Sequence, residues 1–393
     1  MIPSGQAGAG RPFRPPSLPV RTLDYGRAPL LVIWEVTRAC DLACVHCRAS
    51  ALPRRDPEEL TLAQARGMFA AIRAMGTRLL VLTGGDPLKR PDLFELIASA
   101  RSAGLDPSLS PSATPLLTGE ALRAGRAAGL SAVSLSLDGA GALTHDAFRG
   151  VSGSFDRTLA MAGRVVESGL DLRINTTVTS RNLHELPEVA RLAGHLRARI
   201  WSVFFLVPTG RAGAALQIGS GQCESVLGWL YELSSTAPFR IKTTEAPHYR
   251  RVVLEAMAAR QGVSVETVLQ NTRSGRGRFL PGMNDGRGIA FISHRGEVYP
   301  SGFLPLSAGS VRDTDVSLLY RDSVLFRGLR EPDSLRGRCG RCRFRAICGG
   351  SRARAYAHGG DPLGEDHLCD YEPESCGPAA PHHGEAHGGA RDE

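Results

Sequence analysis

Cys40, Cys44 and Cys47 stand in CxxxCxxC spacing within "EVTRACDLACVHCRAS" (35–50), directly after a short apolar run. Cysteine thiolates are the ligands of iron–sulfur clusters, and three of them leave one iron of a four-iron cube open to another ligand. A closed structural zinc site would need a fourth ligand close by. His46 is the available residue, but its place beside Cys47 makes ligation by both awkward. A CxxC redox motif explains only two of the three thiols. A second set, Cys339, Cys342, Cys348 and Cys369, has CxxC spacing, then five residues, then twenty. Four thiolates close a site, so this set alone fits a zinc site as well as a cluster.

Eight of the nine cysteines fall in these two stretches, 40–47 and 339–376. Cys223 stands alone and reads as a small packing residue. Cys376 adjoins a tail of disorder composition (376–393) and is expected to be free.

The elements that must position the first set alternate. Apolar runs at 29–37, 78–85, 105–113, 131–139, 171–179 and 200–208 read as strands. Amphipathic stretches at 60–76, 90–104, 118–129, 155–169 and 183–198 read as the helices between them. Such alternation implies parallel strands covered by helices, with ligands at the strands' carboxyl ends. Six strands are too few for a closed eight-stranded barrel, which leaves an open partial barrel or a doubly wound sheet. After 210 the rhythm stops. Residues 222–236 and 245–270 read as helices, 271–288 as a Gly/Arg-rich loop and 288–303 as a hairpin turning at His294–Gly296.

The chain is 42% hydrophobic and 22% charged, with a net charge of +8 in which arginine far outnumbers lysine. No run of apolar residues is long enough to span a membrane. The first 28 residues form a Pro/Gly/Arg-rich leader without a secretory signal, which points to the cytoplasm. The basic balance points to an acidic partner. No basic stripe interleaved with aromatics accompanies it, so nucleic acid is not expected.

Together these features resemble the radical S-adenosylmethionine (radical SAM) superfamily. The resemblance implies a partial (β/α)6 barrel at 29–210. It implies a 4Fe–4S cluster on Cys40, Cys44 and Cys47, with S-adenosylmethionine chelating the open iron. Electron transfer would then cleave the sulfonium to a 5′-deoxyadenosyl radical. "TGGDP" (83–87) resembles the family's glycine-rich loop, which assigns Thr83, Gly84, Gly85 and Asp86 to the cofactor; Asp86 stands where Glu is commoner. "SLSLDG" (134–139) and "NTTV" (175–178) resemble its polar strand ends, adding Ser136, Asp138 and Asn175. His46 either packs on the cluster loop or lies near adenine, the second being favoured.

The stretch 339–369 resembles the SPASM-type extension that carries auxiliary clusters, here in a smaller iron–sulfur domain at 288–375 joined by 211–287. Ser301 and Arg352 occupy positions where that family has further cysteines, so one auxiliary 4Fe–4S cluster is expected, on Cys339, Cys342, Cys348 and Cys369. Within the superfamily the motifs look most like the tetrapyrrole-modifying, haem-forming branch. That implies a propionate side chain as substrate and a reductase, ferredoxin or flavodoxin as electron donor. A peptide-modifying maturase is the alternative, made less attractive by the short stretch before the first strand. A non-catalytic iron–sulfur or zinc protein is the alternative of another class.

Overall fold

The computed structural model describes residues 24–273 and 282–373. Most of the expected leader, much of the Gly/Arg-rich loop, the tail and Cys376 lie outside the described residues.

One nine-stranded sheet organises the chain. In chain order its strands are β1 (Leu31–Thr37), β2 (Leu79–Gly84), β3 (Asp106–Leu109), β4 (Ala132–Ser136), β5 (Asp171–Val178), β6 (Ile200–Phe205), β7 (Arg240–Thr244), β8 (Ile289–Ile292) and β9 (Val298–Tyr299). Their order is β7-β6-β5-β4-β3-β2-β1-β8-β9. The strands β1 to β7 pair in parallel, β8 adds in parallel beside β1, and β9 folds back antiparallel on β8. This is the partial barrel read from the sequence, with a longer sheet.

The two additions have physical causes. Strand β7 reads RIKTT. It has no apolar run, because Arg240 and Lys242 line the cavity the sheet encloses. The expected hairpin is β8–β9, but its first strand extends the barrel sheet instead of standing in a separate unit. The helix read at 245–270 is two, Tyr249–Gln261 and Val265–Arg273, parted by Gly262 in the left-handed conformation at φ 63°. A helix at Ala142–Arg149 was not foreseen.

Alternation along the strands divides the residues between two environments. Val133, Leu135 and Leu137 point into the helix-covered core with Val32, Trp34, Leu80 and Ile174. Ser134 and Ser136, Arg173 and Asn175, and Ser202 line the lumen. The helix Leu62–Ala74 shows the local logic: Thr61 and Gln64 form a capping box, and Ala65, Met68, Phe69 and Ile72 are its buried stripe.

Candidate functional site

The cysteine loop leaves β1 and is tied shut at its neck. Cys40 N–H donates to Leu52 O (2.8 Å) and Leu52 N–H to Arg38 O (2.9 Å). Its far side hangs on the helix Ala142–Arg149, where Ala43 N–H donates to Arg149 O (3.0 Å) and Val45 N–H to Phe148 O (2.9 Å). Arg211 N–H holds Cys47 O at 3.0 Å. The loop is therefore fixed by three separated parts of the chain.

Cys40, Cys44 and Cys47 all line one cavity of about 780 Å³. Donors already face their sulfurs: Leu42 N–H on Cys40 Sγ (3.4 Å), Ala51 N–H on Cys47 Sγ (3.4 Å) and an Arg149 N–H on Cys44 Sγ (3.7 Å). Ser112 Oγ also lies 3.4 Å from Cys40 Sγ. Such donors stabilise sulfur that carries negative charge, whether thiolate or cluster-bound. Burial nonetheless holds the Cys40 thiol above its usual range. Among the described residues no three His, Cys, Asp or Glu side chains close on a single metal ion. A cluster of several irons is broader than one ion, so thiols set around a cavity fit it better than zinc.

The glycine loop meets the cysteine loop backbone to backbone. A Cβ on Gly84 would lie 2.2 Å from Thr37 O, and one on Gly85 2.4 Å from Ala39 O. Gly85 N–H donates to Thr37 O (2.8 Å) and Asp86 N–H to Ala39 O (2.6 Å). The glycines are thus required first for close packing on the residues leading into Cys40. Thr83, Gly84 and Gly85 also line the cavity.

Asp86 does not line it. Its buried carboxylate accepts from Thr114 Oγ1 (2.6 Å) and Leu88 N–H (3.2 Å), capping the turn at Pro87–Lys89. The side chain expected to meet the cofactor is thus engaged in the turn that opens at Pro87.

Of the strand-end residues, Ser136 and Asn175 line the cavity and Asp138 does not. Strand β4 ends at Ser136, so the alternation that would turn Asp138 inward stops there. Asp138 is fully buried, accepts from Thr177 N–H (2.7 Å) and pairs with Arg149. Burial pulls its carboxyl upward, but Arg149 and His46 hold it below the usual range. Asp138 therefore orients the guanidinium that faces Cys44. The sequence reading missed Arg149, because the helix that carries it was missed.

His46 lines the cavity, with its ring edge-on to Phe148 at 5.3 Å between centroids and its Nε2 3.8 Å from Asp138. Burial lowers its pKa to about 4, so the ring is neutral near pH 7. Its Nδ1 is buried without a hydrogen-bond partner. An unmet polar atom at a cavity wall fits a ligand there better than packing alone.

The rest of the wall is cationic, another feature the sequence did not locate. Arg48, Arg149, Arg173, Arg211, Arg240, Lys242 and Arg250 line it, against Asp106 as its one carboxylate among the described residues.

The second cysteine set is built differently. Cys339, Cys342, Cys348 and Cys369 line a pocket of only about 20 Å³ with Arg251, Arg338 and Arg345. Phe344 N–H faces Cys342 Sγ and Gly350 N–H faces Cys348 Sγ, both at 3.4 Å. Arg352 is buried; its guanidinium donates to Gly350 O (3.1 Å), Pro362 O (3.1 Å) and Gly364 O (2.6 Å) and reaches Cys339 Sγ at 3.5 Å. Ser301 is buried too, its hydroxyl accepting from Phe303 N–H at 3.3 Å.

The radical SAM superfamily profile matches residues 34–193. An AdoMet-dependent heme synthase of Nitratidesulfovibrio vulgaris is 40% identical over 361 residues, 91% of this chain and 97% of that protein. The chain belongs to the radical SAM superfamily. A second relative, the AdoMet-dependent heme synthase of Methanosarcina barkeri, is 39% identical over 88% of this chain and 97% of its own length. Streptococcus suis SuiB, solved with S-adenosylmethionine, superposes with a TM-score of 0.68 over 88% of this chain and 78% of that one, at 15% identity, which shows a shared fold. As a member of the superfamily this enzyme uses its 4Fe–4S cluster and S-adenosylmethionine. No helix among the described residues is long and apolar enough to cross a membrane.

Proposed function

We propose that this radical SAM enzyme removes carboxyl groups from propionate side chains of an iron-bound tetrapyrrole, as in haem formation from iron-coproporphyrin. Cys40, Cys44 and Cys47 hold the catalytic cluster, and Thr83, Gly84, Gly85, Ser136, Asn175 and His46 form the wall against S-adenosylmethionine. When bound there, the cluster and S-adenosylmethionine supply the 5′-deoxyadenosyl radical that takes a hydrogen atom from the substrate. The chain's own residues do the rest. Arg149, held by Asp138, sets the charge beside Cys44. The loop's three anchor points fix the thiols, and the barrel wall surrounds the space in which a reactive radical would form.

The observation that carries this reading is a 40% likeness that runs over 97% of an AdoMet-dependent heme synthase. A cationic cavity walled by Phe204, Phe291 and Phe303 suits a flat, acidic macrocycle. After hydrogen abstraction, loss of CO2 from the side-chain radical leaves a vinyl group and one electron, which an external acceptor takes up. Cys339, Cys342, Cys348 and Cys369 hold one auxiliary 4Fe–4S cluster, and with Ser301 and Arg352 in place of thiols a second is not built. A ferredoxin, flavodoxin or reductase supplies the priming electron.

The family sets aside a non-catalytic metal protein; a peptide maturase shares the fold, and substrate choice separates it. The test is anaerobic incubation with S-adenosylmethionine, dithionite and iron-coproporphyrin or a ribosomal precursor peptide. The expected result is 5′-deoxyadenosine together with tetrapyrrole lighter by CO2 and two hydrogens for each propionate that becomes a vinyl group. Formation of 5′-deoxyadenosine with unchanged tetrapyrrole and altered peptide would overturn the substrate assignment.

A further inference from the structure

We infer that Arg240 and Lys242, with Arg173 behind them, are the anchor for the substrate carboxylates that do not react. This deepens the tetrapyrrole reading and rests on it.

The sheet places these three side chains together. Strand β7 is an edge of the sheet, so it borders the open side of the partial barrel. In register, Lys242 faces Ser202, which faces Asn175, which faces Ser136: Lys242 shares a row with the residues assigned to S-adenosylmethionine. Arg240 pairs with Ile200, which pairs with Arg173, one row further from the strands' carboxyl ends. Neighbouring strands stand about 4.8 Å apart and alternate residues of a strand about 7 Å apart. The cations therefore form a broad plate beside the cofactor row, not a single point.

They are also the cations with charge to spare. Arg48 is bound to Glu35 and Gly302 O, Arg149 to Asp138, and Arg250 to the carbonyls of Ile347 and Met283. Arg211 sits on the segment that holds the cysteine loop, at the cofactor end. Arg173 reaches only Ser108 Oγ, at 3.4 Å. Arg240 and Lys242 make no side-chain hydrogen bond or ion pair among the described residues. The carboxylates nearest Arg173, Asp106 and Asp171, are engaged by Arg101 (3.1 Å) and Arg199 (3.5 Å).

Lys242 is reached by water yet walled by protein, and burial together with Arg173 and Arg240 lowers its pKa to about 8. Uncompensated cations at such a wall disfavour one another until an anion joins them. Aromatic rings line the same lumen: Phe204 stands two residues beyond Ser202 on β6, toward the strands' carboxyl ends, its ring 6.3 Å from that of Phe303, and Phe291 lies on β8. A tetrapyrrole fits this division, its ring against the aromatics, its idle propionates on the plate, and the reacting propionate toward the cysteine loop.

The test compares iron-coproporphyrin with its propionate methyl ester, by absorbance titration of the reconstituted enzyme. Wild type should prefer the acid. The double variant Arg240→Gln/Lys242→Gln should lose about tenfold to a hundredfold in affinity for the acid and little for the ester, and Lys242→Arg should keep most of the preference. Equal losses for acid and ester would mean a structural role and overturn the anchor. Full retention of the acid preference in the double variant, with wild type active on the tetrapyrrole, would overturn the anchor alone. Wild type that binds neither compound would overturn the tetrapyrrole reading and the anchor with it.

Discussion

The two cysteine sites share a ligand type and differ in almost everything else. The first offers three thiols on the wall of a cavity of about 780 Å³. The second offers four thiols around about 20 Å³, with arginines closing in from Arg251, Arg338, Arg345 and Arg352. Three thiols beside open space invite a small molecule as the remaining ligand. Four thiols match the four irons of a cube and leave none open to it. The difference also shows in what packs on each loop. Glycines and a buried Asp–Arg pair hold the first, while the second is held by a buried arginine where a further thiol could have stood.

The comparison breaks first at Cys44. Cys44→Ala should reduce 5′-deoxyadenosine formation to background, a loss of at least about 10⁶-fold on the scale of enzymic accelerations. Iron at the second site should remain. Equal loss of iron from both sites would mean that the two are one folding unit, and the contrast drawn above would fail.

Cys342→Ser tests the other side. Two cubanes require roughly eight irons per chain, and this variant should keep about half. It should still cleave S-adenosylmethionine while its conversion of tetrapyrrole falls. Complete loss of iron, measured by colorimetric assay beside the electron paramagnetic resonance of the reduced enzyme, would contradict independent sites.

Asp138→Asn sharpens what holds the first site. The carboxylate is buried and its partner Arg149 faces Cys44 Sγ. Loss of an outer-shell partner of a metal ligand commonly costs about 10–100-fold in affinity or activity. Breaking a buried pair also costs about 3–5 kcal/mol of stability. Cofactor cleavage and melting temperature should therefore both fall. Unchanged melting together with unchanged cleavage would show that Arg149 needs no such partner.

Much of this was legible in sequence, and the exceptions have causes. The cysteine spacings, the glycine pair and five of the strand–helix alternations were readable because each imposes a local pattern. Strand β7 was not, because its lumen residues, Arg240 and Lys242, are charged and leave no apolar period. Asp86 and Asp138 were read as cofactor contacts from their places in motifs. Their carboxylates serve a turn and an arginine, partners that only the folded chain reveals. Arg149 lies over a hundred residues from Cys44, so no spacing could connect them.

The smallest predicted effect is a pH dependence that the first site should show and the second should not. The pKa of Lys242 is lowered to about 8, because the surrounding cavity wall disfavours its charge and Arg173 and Arg240 add to it, although the side chain is open to the water of the lumen. A carboxylate ligand favours the charged ammonium, so the anchor is complete below about pH 8 and weakens above it. Affinity for iron-coproporphyrin should fall by about tenfold or less as pH rises to about 9, a limit set by the worth of one charged contact. In Lys242→Arg the guanidinium stays charged over this range, so that variant should bind with little pH dependence. The methyl ester should show none in either protein. An identical fall in wild type and Lys242→Arg would place the titration elsewhere and remove Lys242 from the carboxylate plate.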